Sequence, residues 1–235
     1  MTDIAYDDLD RPFRSTQYLA AGDGGNRVSE TAYNLDNTVQ AINKAVGTAL
    51  AQAYATYYYT ANGNVDSVKD AKSNLTVYAY DGFDRLARTY YPLPSTPNYS
   101  NSADYEETSY DANGRATALR KRGGQSVSQS WDGLGRLTAR GYPGSADNVQ
   151  FAYDLRGLRT AAQLASGAHT ITYAWDNAAR LSSTTAGGKT LAHEYDAAGN
   201  RTRTTWPDAS YTTTGYDALG RTSVIKENGS VSLAS

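Results

Sequence analysis

The sequence predicts an all-β protein built as a repetitive antiparallel sheet of β-hairpins, curled or spiralling. A motif of an aromatic residue, Asp, two variable residues, Gly and Arg recurs along the chain at intervals of mostly about 21 residues. That interval holds two strands of ordinary length and two turns. The aromatic content is 20 Tyr against 3 Phe and 3 Trp. Because ordinary cores prefer Leu, Ile and Phe, this skew indicates a repeated local motif.

The motif has ten copies, of which the first three are weak and the other seven clear. Their first residues are Tyr6, Tyr33, Tyr59, Tyr80, Tyr110, Trp131, Tyr153, Trp175, Tyr195 and Tyr216. The remaining motif residues in the clear copies are Asp81, Arg85, Asp111, Gly114, Arg115, Asp132, Gly135, Arg136, Asp154, Gly157, Asp176, Arg180, Asp196, Gly199, Asp217, Gly220 and Arg221. These residues are predicted to be structural, and the copies predict one repeat domain over residues 1–235.

Each motif predicts a tight turn. Asp follows the aromatic in eight copies, and its short side chain can accept a hydrogen bond from the backbone two residues on. The position three residues after this Asp is Gly in six copies and Asp or Asn in three. Those residue types tolerate a left-handed backbone. Ala179 departs from the rule, so strain or an altered turn is expected there.

A second turn is predicted halfway through each repeat, and the segments between turns are rich in strand formers such as Thr170–Trp175. Proline has no backbone N–H to donate to a neighbouring strand, and glycine permits positive φ, so both suit a return turn. The predicted return turns are at Tyr91-Pro92, Gly123-Gly124, Tyr142-Pro143, Gly187-Gly188 and Trp206-Pro207.

Two insertions are harder to interpret. In residues 35–54, Val39, Ile42, Val46 and Leu50 fall at helical spacing, which favours a helix when taken alone. The phase of the repeats instead favours two strands, with a return turn at residues 43–47. Residues 93–107 are rich in Pro, Ser and Asn and are predicted to form an exposed loop.

Composition removes several function classes. The net charge is −2 and the pI about 5.7, which gives no electrostatic basis for binding nucleic acid. The chain has no Cys, so disulfides, thiolate metal sites and Cys nucleophiles are excluded. Its most apolar stretch, residues 45–55, is too short to span a bilayer, and residues 1–14 lack the apolar segment of a secretory signal peptide.

The phased Tyr-Asp-x-x-Gly-Arg copies resemble the rearrangement-hotspot (Rhs), or YD-repeat, family over essentially the whole chain. The resemblance implies a spiralling sheet of hairpins that, in complete members, closes into a hollow shell. In bacterial members that shell encloses a toxic C-terminal effector, and teneurins use similar shells for adhesion at the cell surface. A secreted or cell-surface location in a bacterium is implied.

Three features of complete bacterial members are not found in this sequence. It has no Asp-Pro dipeptide and hence no aspartyl self-cleavage motif, no effector after the last copy, and no plug domain before Tyr6. The first hypothesis is therefore a segment of shell wall, whose partners are the rest of a longer Rhs polypeptide or further copies of itself, with a cargo effector. The alternative is an extracellular module that binds carbohydrate or protein, self-assembling through its open sheet edges near Tyr6 and residues 223–233.

No catalytic, cofactor or metal site is predicted. His169 and His193 lie in different repeats without a nucleophile pattern, and most Asp residues are used by turns. Trp131 and Trp175 occupy the motif position and are expected to pack on neighbouring rings. Trp206 lies at a return turn beside Pro207 and is the one candidate ligand contact.

Overall fold

The computed structural model describes residues 1–20, 22 and 24–234. Residues 21, 23 and 235 belong to the predicted repeat domain but are outside the described residues. The chain divides into two compact units, Met1–Gln125 and Ser126–Ser235. Each unit is an antiparallel sheet in which strands that follow one another along the chain pair with each other. The predicted all-β class of antiparallel hairpins is confirmed.

The first unit contains ten strands among its described residues. They are β1 Thr2–Tyr6, β2 Pro12–Gln17, β3 Arg27–Tyr33, β4 Val39–Lys44, β5 Gln52–Tyr59, β6 Val65–Asp70, β7 Leu75–Tyr80, β8 Leu86–Pro92, β9 Ser100–Tyr110 and β10 Ala116–Arg120.

The second unit contains eleven strands in its described part. They are β11 Ser126–Trp131, β12 Leu137–Gly141, β13 Val149–Tyr153, β14 Arg159–Leu164, β15 Ile171–Trp175, β16 Leu181–Ala186, β17 Lys189–Tyr195, β18 Arg201–Thr205, β19 Tyr211–Tyr216, β20 Thr222–Glu227 and β21 Val231–Ala234. A short 3₁₀ turn, Ser145–Asp147, precedes β13.

The motif aromatics set the strand ends. Each of the ten is the last residue of an odd-numbered strand, from β1 to β19. One hairpin therefore comprises an odd strand, a motif turn and an even strand, and a return turn leads to the next hairpin. The register shifts beside the motif turn in each hairpin, for example between Ala152 and Tyr153 or Ala174 and Trp175. Such a bulge lets one strand carry an extra residue opposite its partner.

Register between consecutive hairpins is constant although the repeats differ in length. The residue eight positions after one motif aromatic pairs with the residue three positions before the next. The pairs are Arg14 with Glu30, Ala41 with Thr56, Ser67 with Val77, Arg88 with Glu107, Ala139 with Gln150, Ala161 with Thr172, Ser183 with Ala192 and Arg203 with Thr213. Length variation is therefore confined to the return turns, and the motif turns line up along one edge of each sheet.

Each sheet is one layer thick, so little of either unit is buried. Ala55, 8% exposed, and Ser67, 6% exposed, are the only buried side chains in the described part of the chain. The accessible surface is 14966 Å², against roughly 10,000 Å² for a folded monomer of this mass. Strands such as β13 and β15 alternate between half-buried and exposed residues. One face therefore carries rings such as Phe151 and Tyr173, and the other carries small residues such as Ala152.

Residues 35–54 form strands, not a helix. β4 ends at Lys44 and β5 begins at Gln52, so the return turn covers residues 45–51 and not the predicted 43–47, because Asn43 and Lys44 pair with β5. Both Ala45 (φ 56°) and Gly47 (φ 82°) are left-handed in this turn. Pairing of β4 with β3 and β5 buries part of Ile42 against neighbouring strands. The repeat phase predicts the strands correctly, because β4 pairs with β3 and β5 pairs with β6. Helical spacing within one segment carries no information on such pairing between segments.

Two further sequence expectations need correction. The predicted loop over residues 93–107 is a loop only to Tyr99, because residues 100–107 belong to β9 and pair with β8. Its Ser and Asn content suggested a loop, but Tyr90–Tyr105 packing and the Arg88–Glu107 ion pair hold it as strand. Tyr91-Pro92 likewise ends β8 rather than forming the turn, which follows at residues 93–99.

Candidate functional site

The motif turns share one backbone geometry in all ten copies. In the Asp176 turn, the N–H of Asp176 donates to the carbonyl of Arg180 (2.9 Å), and the N–H of Ala179 donates to the carbonyl of Asp176 (3.1 Å). The same two bonds recur in the other nine turns. The fourth residue after the aromatic has positive φ in every copy, including 62° at Ala179. Ala179 therefore keeps the turn and adopts a backbone conformation that strains residues with a Cβ.

The Asp side chain holds each turn from inside. In the copy that begins at Tyr80, one oxygen of Asp81 accepts the N–H groups of Phe83 (2.9 Å) and Arg85 (3.1 Å). Its other oxygen accepts Nε of Arg85 at 2.7 Å. The guanidinium and these N–H groups lower the pKa of Asp81 below its ordinary value. The carboxylate is therefore committed to the turn and is not available as a general base.

The same carboxylate arrangement recurs with small variations. Asp carboxylates bind the Arg five residues after the aromatic, and each of their pKa values is lowered, in the copies of Asp7, Asp111, Asp132, Asp176 and Asp217. Asp196 is held by Asn200 instead. In the copy where Leu158 replaces the Arg, Arg156 contacts Asp154 at 3.1 Å and donates to the carbonyl of Asp176 (2.9 Å).

Arginines and aromatics of successive repeats form a ladder along this edge in each unit, which we call the turn ladder. The Arg11 guanidinium lies 4.4 Å from the centre of the Tyr33 ring, and Arg85 lies 4.4 Å from the Tyr110 ring. Arg180 lies 4.8 Å from the Tyr195 ring. A cation over a ring face is attracted by the ring quadrupole. Each guanidinium thus joins its own Asp to the next repeat's ring.

The aromatic tips complete the turn ladder. The Tyr195 hydroxyl donates to the carbonyl of Leu181 (3.0 Å), and the Trp175 indole Nε1 donates to the carbonyl of Arg159 (2.9 Å). In both cases the acceptor lies six residues after the preceding motif aromatic. The same spacing holds for Tyr33, Tyr59, Tyr80, Tyr110, Tyr153 and Tyr216. Trp can replace Tyr here because its N–H also donates.

Several further hairpin turns use the same backbone bonds at the opposite edge, and sequence reasoning missed their likeness to the motif. Asp70 accepts the N–H groups of Lys72 and Asn74, both at 2.8 Å, and Ser73 has a φ of 64°. Asp70 and Asn74 could have been recognised by the spacing that Asp196 and Asn200 share. The aromatic that precedes Asp in the motif is lacking there, since Lys69 occupies that position.

Trp206, the candidate ligand contact, borders an open cleft of about 690 Å³ in the second unit. Its side chain is 40% exposed. Pro207, Asp208, Tyr211 and Glu227 also line the cleft. The ring of Tyr211 lies under the Arg203 guanidinium at 3.8 Å. This cleft combines an accessible ring with carboxylates, and none of the described motif residues lines it.

Other site types have no support within the described residues. No group of His, Asp and Glu there could hold a metal ion. His193 approaches only the hydroxyl of Thr204 (3.3 Å), and its burial lowers its pKa. Among the residues that the structure describes, no helix has the length and apolarity to cross a membrane.

The chain resembles known repeat proteins. Residues 110–147 match the family model of the RHS repeat. The fold is similar to the crystal structure of TcdB2-TccC3-Cdc42, with a TM-score of 0.70, 14% identity, and 95% of this chain covering 13% of that one. TcdB2-TccC3 without its hypervariable C-terminal region gives a TM-score of 0.70 and 13% identity, with the same coverage. No curated protein matches the chain.

A third similar structure is the Photorhabdus luminescens Tc holotoxin pore carrying a TccC3 mutation. Its TM-score is 0.52 at 11% identity, with 96% of this chain covering 15% of that one. This chain thus spans about an eighth of the length of the first structures that it matches. With ten motifs in one geometry and an RHS-repeat match at residues 110–147, the resemblance to the Rhs, or YD-repeat, family is confirmed.

Proposed function

We propose that this chain is a segment of shell wall, a β-scaffold that contributes to enclosing a C-terminal effector in a longer Rhs polypeptide secreted by a bacterium. The observation that carries the proposal is the constant register between hairpins, in which each motif turn binds the next. Such an arrangement extends a sheet repeat by repeat. The carboxylates, guanidiniums and rings of the motif bind one another within and between repeats. That use of polar groups fits a structural protein rather than an enzyme.

The fold comparisons support this proposal at the level of architecture. The structures that share the fold are much longer chains of toxin complexes, so a wall segment is a consistent role for 235 residues. One-layer sheets with little burial also fit a wall, because a wall needs surface on both sides. The effector or other cargo is implied by the family resemblance alone.

The second candidate function is an extracellular module that binds carbohydrate or a protein, and the Trp206 cleft is the observation that favours it. An exposed indole can stack on the apolar face of a sugar ring, while Asp208 and Glu227 can accept hydrogen bonds from its hydroxyl groups. The cleft is shallow and lies at one return turn. The turn ladder, by contrast, extends over most repeats of each unit.

A glycan array separates the two functions. The wild-type chain and Trp206→Ala are applied in parallel, with Tyr99→Ala as a control at another exposed aromatic. The scaffold proposal expects no saturable binding by any of the three. Saturable binding that Trp206→Ala abolishes and Tyr99→Ala preserves would overturn it in favour of the binding module.

A further inference from the structure

An open cleft of about 670 Å³ lies in the first unit, where β2 and β4 end and β3 begins. Its volume is ordinary for a small-ligand site. The strand side chains that line it, which define what we call the basic cleft, are Ser15, Gln17, Arg27, Ser29 and Lys44. The turn of residues 45–51 borders the cleft on the side of β4.

Strand register explains why these five side chains meet. Ser29 pairs with Ser15 on one side and with Lys44 on the other, and Arg27 pairs with Gln17. Directly paired residues share a face of the sheet, and so do residues two positions apart on one strand. All five side chains therefore lie on one face, within reach of one another.

The basic cleft carries two positive charges, those of Arg27 and Lys44. No carboxylate of a described residue lines it. Glu30 follows Ser29 along β3 and therefore lies on the opposite face, where it pairs with Arg14. The Lys44 ammonium lies 3.4 Å from the centre of the Tyr54 ring. That contact orients the ammonium but does not neutralise its charge.

Hydrogen-bond donors in the basic cleft are unused, in contrast to those of the motif turns. The side chains of Ser15, Gln17 and Ser29 form no hydrogen bond with other described residues. Both hydroxyls and the amide can donate. Thr48 is different, because its hydroxyl donates to the carbonyl of Ala45 (2.7 Å). The free donors thus come from the strands and not from the turn.

We propose that the basic cleft binds the phosphate group of a small ligand. A phosphate monoester carries up to two negative charges and three strong acceptor oxygens, which match two cations and several donors. The planar fork of Arg27 can bind two of those oxygens at once. Lys44 supplies the second charge, and Ser29 donates from its position between them. A carboxylate, with one charge and two oxygens, would use fewer of these groups.

This binding site is independent of the shell-wall role proposed above. None of its five strand side chains belongs to a motif turn, and the Trp206 cleft lies in the other unit. The phosphate group could be carried by a soluble molecule or by a lipid headgroup. Both sources share the same recognition chemistry, so the experiment has one arm for each.

Isothermal titration with glycerol 3-phosphate tests the soluble source, and glycerol is the uncharged control. Sedimentation with phosphatidylcholine vesicles, with and without phosphatidic acid, tests the lipid source. We expect saturable binding at one site per chain in at least one arm, and none to glycerol or to phosphatidylcholine alone. Added salt should weaken the binding, because both cations are exposed to solvent.

Variants locate the binding in the cleft. Arg27→Met and Lys44→Met each remove one charge while keeping a long side chain, and each should raise the Kd about tenfold. Arg27→Lys keeps the charge and loses the fork, so it should raise the Kd less. Lys72→Met and Arg201→Met remove one exposed charge elsewhere and should leave the Kd unchanged. Circular dichroism verifies that each variant is folded.

Three results would overturn the proposed phosphate site. The first is that neither arm gives saturable binding with a Kd below about 1 mM. The second is an equal loss of affinity in Arg27→Met, Lys44→Met and the two controls, since net charge and not the cleft would then govern binding. The third is binding that Trp206→Ala abolishes, because the ligand would then occupy the other cleft.

Discussion

At the scale of the residue, the motif turn depends on one left-handed position. Gly occupies it in six copies, and Asp10, Asn37, Asp84 and Ala179 occupy it in the others. Asp and Asn visit this conformation at small cost, because their side chains can bond locally. Ala has a Cβ and no such bond, so the Ala179 turn is the strained member of the set.

Replacing Ala179 by Gly should raise the free energy of unfolding by about 1 kcal/mol, because it removes the Cβ from a left-handed residue. Urea denaturation of the variant measures the change. The adjacent exposed position supplies the control, since Ala178 lacks a positive φ and Ala178→Gly should lower stability or leave it unchanged. A loss of stability at both positions would contradict the assignment of strain to Ala179.

The motif hydroxyl is a second contribution of single residues. Tyr195→Phe keeps the ring beneath Arg180 and removes the bond to the carbonyl of Leu181. We expect a loss of about 1 kcal/mol in the free energy of unfolding. Tyr142→Phe is the comparison, because the Tyr142 hydroxyl forms no hydrogen bond with the described residues and Tyr142 is 36% exposed. Thermal unfolding should therefore give a lower Tm for Tyr195→Phe than for Tyr142→Phe. Similar Tm values would mean that the hydroxyl bond of Tyr195 does not contribute to stability.

At the scale of the element, the hairpin has one constant turn and one variable turn. Because register is constant on both sides of the motif turn, the described repeats differ in length at their return turns. The return at residues 93–99 is closed by the N–H of Leu93 donating to the carbonyl of Tyr99 (2.9 Å). Extra residues between those two atoms need not disturb any strand pair.

An insertion of seven Gly and Ser residues after Ser95 should cost about 0.6 kcal/mol, since it doubles the length of that loop. The same insertion between Ala178 and Ala179 separates the donors and acceptors of the Asp176 turn. It should cost more than about 2 kcal/mol, because several bonds are lost together. Chemical denaturation of both variants compares the sites. Equal losses in the free energy of unfolding would show that motif turns and return turns tolerate an insertion equally well.

Sequence reasoning recovers the hairpins because their chemistry is local. Asp132 and Gly135, three residues further on, specify a turn within five residues, so the copies can be recognised without knowledge of neighbours. Repeat phase also predicts the strand that ends at Lys44 and the strand that begins at Gln52, where helical spacing alone favours a helix. The single-domain organisation over residues 1–235 remains a prediction.

The remainder depends on distant partners. Strand formation over residues 100–107 follows from pairing with β8 and from the contact of Arg88 with Glu107, which are 19 residues apart. The ladder bonds likewise join residues 14–24 apart, such as Tyr195 with Leu181. The Trp206 cleft is formed with β20, whose Glu227 lies 21 residues further on. Local spacing carries no information on such contacts.

At the scale of the whole molecule, stability is a sum over repeated turns rather than the product of a large core. Only Ala55 and Ser67 are buried in the described part of the chain. Repeat proteins of this kind gain stability from each unit and from its contact with the next. Eight motif turns each contain an Asp carboxylate. A fall in pH therefore protonates carboxylates of the same kind in all eight turns.

Acid should therefore destabilise the protein at many places within a narrow pH range. Bonds from Arg side chains and backbone N–H groups lower the pKa of Asp81, Asp176 and Asp217 below the ordinary value of 3.8. A lowered folded-state pKa means that the stabilisation is fully present above the unfolded value and is lost as pH falls through the folded value. The contribution of these carboxylates to the free energy of unfolding should thus be nearly constant from pH 7 to about 5 and fall steeply below about pH 4.

Urea denaturation at a series of pH values measures this profile, and a triple variant Asp81→Asn, Asp176→Asn, Asp217→Asn supplies the control. It should be less stable than the wild type at pH 7, because three Arg contacts are lost, and its stability should fall less steeply below pH 4. His193 adds a smaller loss that begins below pH 6.5, since burial lowers its pKa and protonation then favours the unfolded chain. His193→Gln removes that earlier loss without changing the steep one. An acid profile of equal slope in the wild type and the triple variant would mean that the turn carboxylates do not govern stability, and that acid acts on the sheets through other groups.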